Sequence, residues 1–259
     1  MRLALGIEYN GHNFFGWQAQ SNLLTVQSTV EHALSIIANE PVKIFCAGRT
    51  DAGVHATGQV VHFDTTAIRN QRAWTLGTNT HLPSSIVVQW VKEVDDTFHA
   101  RFSALSRCYR YIIHNSSIRS AIFAERATGH HHPLDVATMQ QAAHSLLGEL
   151  DFSSFRSSEC ESKSPMRNVH TLNVTRWNDF VVIEIQANAF LHHMVRNIAG
   201  ALMKVGAGFQ EPEWIQDVLH AKDRRKAAET APPTGLYLIK VNYPKRFRFP
   251  EAKKEVVFL

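Results

Sequence analysis

Short β-forming runs, each closed by a turn signal, recur along this 259-residue chain and restrict most what it can fold into. "RLALGIEYNG" reads as a first strand ending in an Asn10-Gly11 turn, and Val42 to Phe45 and Gln59 to Phe63 read as two strands joined by a loop. "SIVVQWVKEV", "CYRYIIH" and "GLYLIKVNYP" are further predicted strands. "HTLNVTRWNDFVVIEIQA" is predicted to be two alternating strands around a turn at Asn178-Asp179. Helices lie between them. In "TVQSTVEHALSIIANEP" the residues Val26, Val30, Ala33, Leu34 and Ile37 share one helical face, with Thr25 as cap and Pro41 just past the end. A second helix is predicted over about Ile68 to Thr80. "DVATMQQAAHSLLGEL" reads as another, capped by Asp135 and ended by Gly148, with Met139, Ala143, Leu146 and Leu147 on one face. "FLHHMVRNIAGALMKVG" begins a further helix, and "AKDRRKAAE" reads as a solvated helix face.

Two strand-and-helix halves, with strands placed to pair antiparallel, predict an α+β fold. The first half is expected over residues 1–104 and the second over 105–259, with "SSECESKSP" as the mobile loop. At 44% hydrophobic content, a chain of this length buries a sizeable core without staples. Cys46, Cys108 and Cys160 are odd in number, far apart and in no CxxC pair, which argues against a disulfide framework and a cysteine-rich zinc site. A reducing cytoplasm suits them. The N-terminus meets a glutamate and two glycines before any apolar run reaches signal-peptide length, and no stretch approaches about eighteen apolar residues, so no membrane association is expected.

Net charge is only +4, but "HARFSALSRCYRYIIH" sets Arg101, Arg107 and Arg110 among Phe102, Tyr109 and Tyr111. That combination suits phosphates and stacked bases, although the alternation in "RCYRYII" is equally that of a half-buried strand. The segment "CAGRTDAGVHATGQ", Cys46 to Gln59, places an arginine, a threonine and an aspartate between Gly48 and Gly53 at the tip of a loop. Glycines there permit a tight turn and close approach of a ligand, so Asp51 is either a presented carboxylate or a turn aspartate bonded to its own backbone. In "FLHHMVRNI", Arg196 is left over once the apolar face is assigned; it either covers apolar surface with its stem or holds a carboxylate. The fifteen histidines include His192 and His193 and the triplet His130 to His132, yet no H-E-x-x-H or comparable spacing appears, so no metal is expected. Cys46, in the strand before the loop, reads as a small buried filler rather than a nucleophile.

"CAGRTDAGVHATGQVVHF", "RCYRYIIHN", "NAFLHHMVRNIAGALMKVG" and "GLYLIKVNYP", in this order and spacing, closely resemble the tRNA pseudouridine synthase A (TruA) family. The resemblance runs from "LGIEYNGHNFFGWQAQ" to about Pro244, is weaker between Ile118 and Pro133, and does not extend to the last dozen residues. It implies the pseudouridine synthase fold: a mixed, largely antiparallel sheet flanked by helices, in two similar halves around a central basic cleft. It implies isomerisation of uridine to pseudouridine at positions 38, 39 and 40 of the tRNA anticodon stem-loop, by a cytoplasmic homodimer. By the same resemblance, Asp51 matches the catalytic aspartate, Tyr109 the tyrosine over the target base, and Arg49 and Arg196 two active-site arginines. Phe98, His99, Ala100, Arg101 and Phe102 match one region that touches tRNA, and Glu159, Cys160, Glu161, Ser162 and Lys163 match another.

This isomerisation moves C1′ of ribose from N1 to C5 of uracil with no atom gained or lost. No cofactor is therefore expected, in keeping with the lack of a G-x-G-x-x-G or Walker A pattern. A carboxylate can attack C1′, add to C6 or remove the C2′ proton, and the sequence leaves these routes open. A non-catalytic RNA-binding protein remains the alternative; it has no use for a carboxylate facing a polyanion.

Overall fold

Strand β1 (Arg2–Tyr9) is buried on both faces, with Leu3, Leu5 and Ile7 on one side and Ala4 on the other. A strand so placed must be central to its sheet, and β1 pairs antiparallel with β3 (His55–Asp64) and with β4 (Ile86–Val94). The computed structural model describes residues 1–250; the end of the predicted second half, after Pro250, lies outside the described residues. The chain forms two units, one of Met1–Leu105 with the segment from Tyr237, the other of Ser106–Leu236.

In the first unit the sheet order is β4-β1-β3-β10, where β10 (Leu236–Asn242) lies parallel to β3 with Tyr237 opposite His55. Helix α1 (Val26–Ala38) is capped by Thr25, whose side chain accepts the Ser28 N–H, and buries Val26, Val30, Ala33 and Leu34 as its spacing predicts. It stops at Asn39, which takes a left-handed conformation at φ 57°. The strand predicted from Val42 to Phe45 is shorter and later: only β2 (Phe45–Cys46) pairs with β3. The reason is local competition, because the N–H groups of Val42 and Ile44 go to Ser35 Oγ and Glu31 Oε1 of α1 instead of a ladder. The helix predicted over Ile68 to Thr80 forms over residues 71–79, with a π-turn at Ala73–Gly77 in its middle, and is started by Asn70 Oδ1 accepting the Ala73 N–H. Phe98, fully buried, packs with Ala4, Ala47, Val60, Ala100 and Phe247. Burying such a ring stabilises by about 1.5–3 kcal/mol.

In the second unit β5 (Ser106–Asn115) pairs parallel with β6 (Thr128–His130) and antiparallel with β9 (Phe180–Ala187). Then follow β8 (Met166–Trp177) and β7 (Gly148–Asp151), both antiparallel. The predicted hairpin forms, with Trp177 opposite Phe180 and Asn178 at φ 50°. The helix predicted from Asp135 ends early: α2 (Val136–Ala143) gives way to a 3-10 turn at His144–Leu146, and Gly148 at φ 92° turns the chain into β7. Helix α3 (Met194–Gly206) starts only after His193, whose φ of 63° excludes Phe190 to His193 from it. Helix α4 (Trp214–Ala221) follows, and "AKDRRKAAE" contains a 3-10 turn at Arg224–Lys226 rather than a helix face. Both units are therefore α+β with mostly antiparallel sheets. No helix among the described residues is long and apolar enough to cross a membrane.

Candidate functional site

The loop carrying Asp51 is held from beneath by the segment after β1. Thr50 is buried, and its hydroxyl and that of Tyr9 share a hydrogen bond of 2.8 Å. The Thr50 carbonyl accepts the Trp17 N–H at 2.9 Å, and the Gly53 N–H donates to the Phe14 carbonyl at 3.3 Å. Within the loop, the Val54 N–H returns to the Asp51 carbonyl at 3.1 Å. On the other side the fully buried Gln59 donates through Nε2 to the Gly48 carbonyl at 2.6 Å. Gly53 takes φ 77°, a left-handed conformation that L side chains rarely adopt. Gly16 needs glycine twice over, because it sits at φ 83° and a Cβ there would lie 2.9 Å from the Thr50 carbonyl oxygen.

The result is a rigid tip with a half-buried Asp51 and an exposed Arg49. The sequence marks the tip through its glycines and charges. It does not mark Tyr9, Gly16 and Gln59 as the residues that hold it, since these lie up to 42 positions away in the chain. His55, just past the tip, accepts the Gly11 N–H at Nδ1 (3.1 Å) and stacks on Tyr237 with ring centroids 4.6 Å apart. Burial pushes the Cys46 thiol up to about 12, with Arg49 only partly opposing it, so this sulfur is not a thiolate at neutral pH.

The segment Phe98 to Phe102 divides by side. Phe98 and Ala100 are fully buried, and Ala100 is fixed from both ends: its N–H donates to His62 Nδ1 and its carbonyl accepts the Tyr243 hydroxyl at 2.6 Å. His99 is half-buried, while Arg101 and Phe102 are exposed. The His99 and Phe102 rings lie 4.3 Å apart and the Arg101 guanidinium stands over Phe102 at 5.7 Å. Phe45, also exposed, stacks on His62 at 5.1 Å. Burial, reinforced by His99 and Arg2, holds His62 down at about 4 and hence neutral.

Tyr109 and Arg196 belong to the second unit. Tyr109 is buried on β5 opposite Ile185, with its ring edge-to-face against Phe190 at 5.0 Å. Arg196 is half-buried in the first turn of α3, an element packed against β5, and donates from Nε to the Ala231 carbonyl at 2.8 Å. In Glu159 to Lys163, Cys160 is buried and its carbonyl accepts from Arg156 at 2.7 Å. Ser162 accepts from Arg167 at 2.7 Å, and Glu159, Glu161 and Lys163 are exposed. The structure thus gathers Arg49 and Asp51 on one loop, and Tyr109 and Arg196 on two packed elements of the other unit.

A family model described as tRNA pseudouridine synthase matches residues 6–103 and 142–244. Curated proteins named tRNA pseudouridine synthase A are similar over the full chain. The one from Shewanella baltica (strain OS195) is 57% identical, and the one from Shewanella sp. (strain W3-18-1) 58%; each alignment covers 100% of this chain and 99% of the relative. Among solved structures, a chain from "Crystal Structure of a Cbf5-Nop10-Gar1 Complex" overlaps 77% of this chain and 54% of its own length, at TM-score 0.33 and 10% identity, a likeness too distant to bear on function. On the family match and the full-length identity, the chain belongs to the tRNA pseudouridine synthase family, a family of isomerases.

Proposed function

We propose that this protein isomerises uridine to pseudouridine at positions 38, 39 and 40 of the tRNA anticodon stem-loop, with Asp51 as its catalytic carboxylate, acting as a cytoplasmic homodimer. The observation that carries the reading is the clamped loop. Hydrogen bonds to Phe14, Trp17 and Gln59 fix the backbone on both sides of Asp51, and Tyr9 holds the Thr50 side chain, in a chain that belongs to this family. A carboxylate positioned before substrate arrives costs no reorganisation when charge develops at C1′. Breaking the C1′–N1 bond makes the sugar cation-like, and forming C1′–C5 restores it with every atom retained.

A uridine within a stem must leave the stack first, at a cost of a few kcal/mol. Stacking on Tyr109 offsets part of this, at about 1–3 kcal/mol per base. Arg49 and Arg196 supply the guanidinium groups that meet the substrate. In the tRNA-contacting segments the half-buried His99 and the exposed Arg101, Phe102 and Lys163 make the contacts, and the buried Phe98, Ala100 and Cys160 shape the backbone beneath them.

The test is Asp51→Asn with unmodified tRNA transcripts, mapping pseudouridine by position. Retained tRNA binding with no product supports the reading; normal yield from the variant overturns Asp51 as the catalytic carboxylate, and tRNA binding without product from the unaltered protein would leave simple RNA binding.

A further inference from the structure

Arg196 does not stand alone on α3. Its Nε donates to the Ala231 carbonyl at 2.8 Å, and Ala231 returns its own N–H to the Arg196 carbonyl at 3.2 Å. The strap formed by residues 228–231 therefore lies along the first turns of the helix. Gly200, one turn after Arg196, shows how closely, since a Cβ there would stand 2.2 Å from the Glu229 carbonyl oxygen.

Three side chains hold this strap. Arg224 donates from Nη1 to the Ala228 carbonyl at 2.7 Å, and from Nη2 to Thr230 Oγ1 at 2.9 Å and Asn197 Oδ1 at 3.1 Å. Thr230 donates its hydroxyl to the same Asn197 oxygen at 2.6 Å. Asn197, fully buried and next to Arg196 in the helix, is itself anchored by donating to the Phe155 carbonyl at 2.8 Å. Further along, the buried Tyr111 hydroxyl donates to the Pro232 carbonyl at 2.9 Å, and Tyr111 lies two residues from Tyr109 on β5. Arg224 is a half-buried cation without a carboxylate partner among the described residues, and burial lowers its pKa. A charge kept there against its desolvation cost has one visible use, which is to tie three neutral oxygens of the strap and of α3 together.

We propose that Arg224, acting with Asn197 and Thr230, is a positioning residue for Arg196. By fixing the strap it fixes the Ala231 carbonyl, and through the Nε bond it sets the plane in which the Arg196 guanidinium meets the uridine. This rests on the reading of Arg196 as a substrate-facing arginine.

The experiment compares Arg224→Met and Thr230→Val, each alone and combined with Arg196→Lys, which keeps a charge but has no Nε for Ala231. Single-turnover rates are measured with excess enzyme on a tRNA transcript, beside tRNA affinity and melting temperature. Thr230→Val removes one hydroxyl and serves where Arg224→Met fails to fold. Misplacing a reacting group by about 1 Å costs up to a hundredfold, so each single variant is expected to slow the chemical step about ten- to a hundredfold with affinity within twofold. In the Arg196→Lys background neither should slow it further, and Arg224→Lys should recover part of the rate. Equal losses in both backgrounds, or wild-type rates for Arg224→Met and Thr230→Val, overturn the inference. Full activity of Arg196→Lys would instead remove Arg196 from the reaction, a separate failure that falls on the reading beneath it.

Discussion

The hydroxyl of Tyr9 lies 2.8 Å from that of Thr50, the residue immediately before Asp51, and both groups are buried. A first-strand tyrosine thus fixes the height of a loop through a residue 41 positions later. Removing it with Tyr9→Phe leaves a buried Thr50 hydroxyl short of a partner, at a cost to stability of about 1–3 kcal/mol. If the bond also aims Asp51, turnover should fall by about tenfold or more while tRNA affinity stays within twofold. Steady-state kinetics with a binding titration separate the two effects. A variant that melts earlier but turns over normally would reduce Tyr9 to a core residue.

Gly16→Ala addresses the same loop from the opposite side. The added methyl meets the Thr50 carbonyl at 2.9 Å and forces a side-chain-bearing residue into φ 83°. Strain of this kind costs about 1–3 kcal/mol, and any shift that relieves it against the Thr50 carbonyl and Ala52 N moves the backbone on both sides of Asp51. The expected result is a lower melting temperature with a disproportionate loss of turnover; unchanged activity would show that the loop tolerates displacement.

Cys46 lies five residues before Asp51, close enough in sequence to be suspected as a nucleophile. With its thiol pushed up to about 12, the thiolate is scarce at pH 8. Iodoacetamide should label it far more slowly than a free cysteine, and Cys46→Ala should keep wild-type pseudouridine yield. Loss of product in that variant, with the fold intact, would reopen cysteine chemistry.

The exposed ring of Phe102 is flanked by His99 and has the Arg101 guanidinium over it, and under the proposed function it stacks on an unpaired base while Arg101 meets a phosphate. Phe102→Ala is expected to weaken tRNA binding by about 1–3 kcal/mol with little change in the single-turnover rate. Arg101→Gln should lower the salt dependence of binding by about one counterion. A binding isotherm in a salt series checks both, and an unchanged slope would place Arg101 off the RNA.

Legibility in the sequence followed the range of the interactions involved. Asp51 and Arg49 were visible because glycines, charge and flanking strands fall within one short segment. Helix α1 was equally clear, since its cap, apolar face and stop signal are local. Elements set by distant partners left no such mark. β7 begins at Gly148, where the predicted helix stops, and forms because β8 offers it a ladder. Val42 and Ile44 look like strand residues, yet α1 side chains take their N–H groups. The parallel return of β10 beside β3 joins residues some 180 positions apart and has no local signature either. Arg224 was the clearest loss: in "AKDRRKAAE" it resembles its solvated neighbours Arg225 and Lys226, and only the strap distinguishes it.

His62 gives the fold a direction of pH sensitivity. Its folded pKa of about 4 lies below the ordinary histidine value of 6.5, chiefly through burial, with His99 and Arg2 adding repulsion. Between those two values the unfolded chain binds the proton and the folded chain does not, so stability rises with pH across this window. The contribution is whole above about pH 6.5 and is lost progressively as pH falls toward 4. His99 and His130 are shifted in the same direction, so they steepen the slope and His62 cannot account for all of it. His62→Gln keeps an acceptor for the Ala100 N–H without a group that titrates there. Melting temperatures measured from pH 7 to pH 4 should fall for the wild type and fall less for this variant. Parallel curves for the two proteins would mean that His62 is protonated in the folded state and that its burial is relieved on acidification.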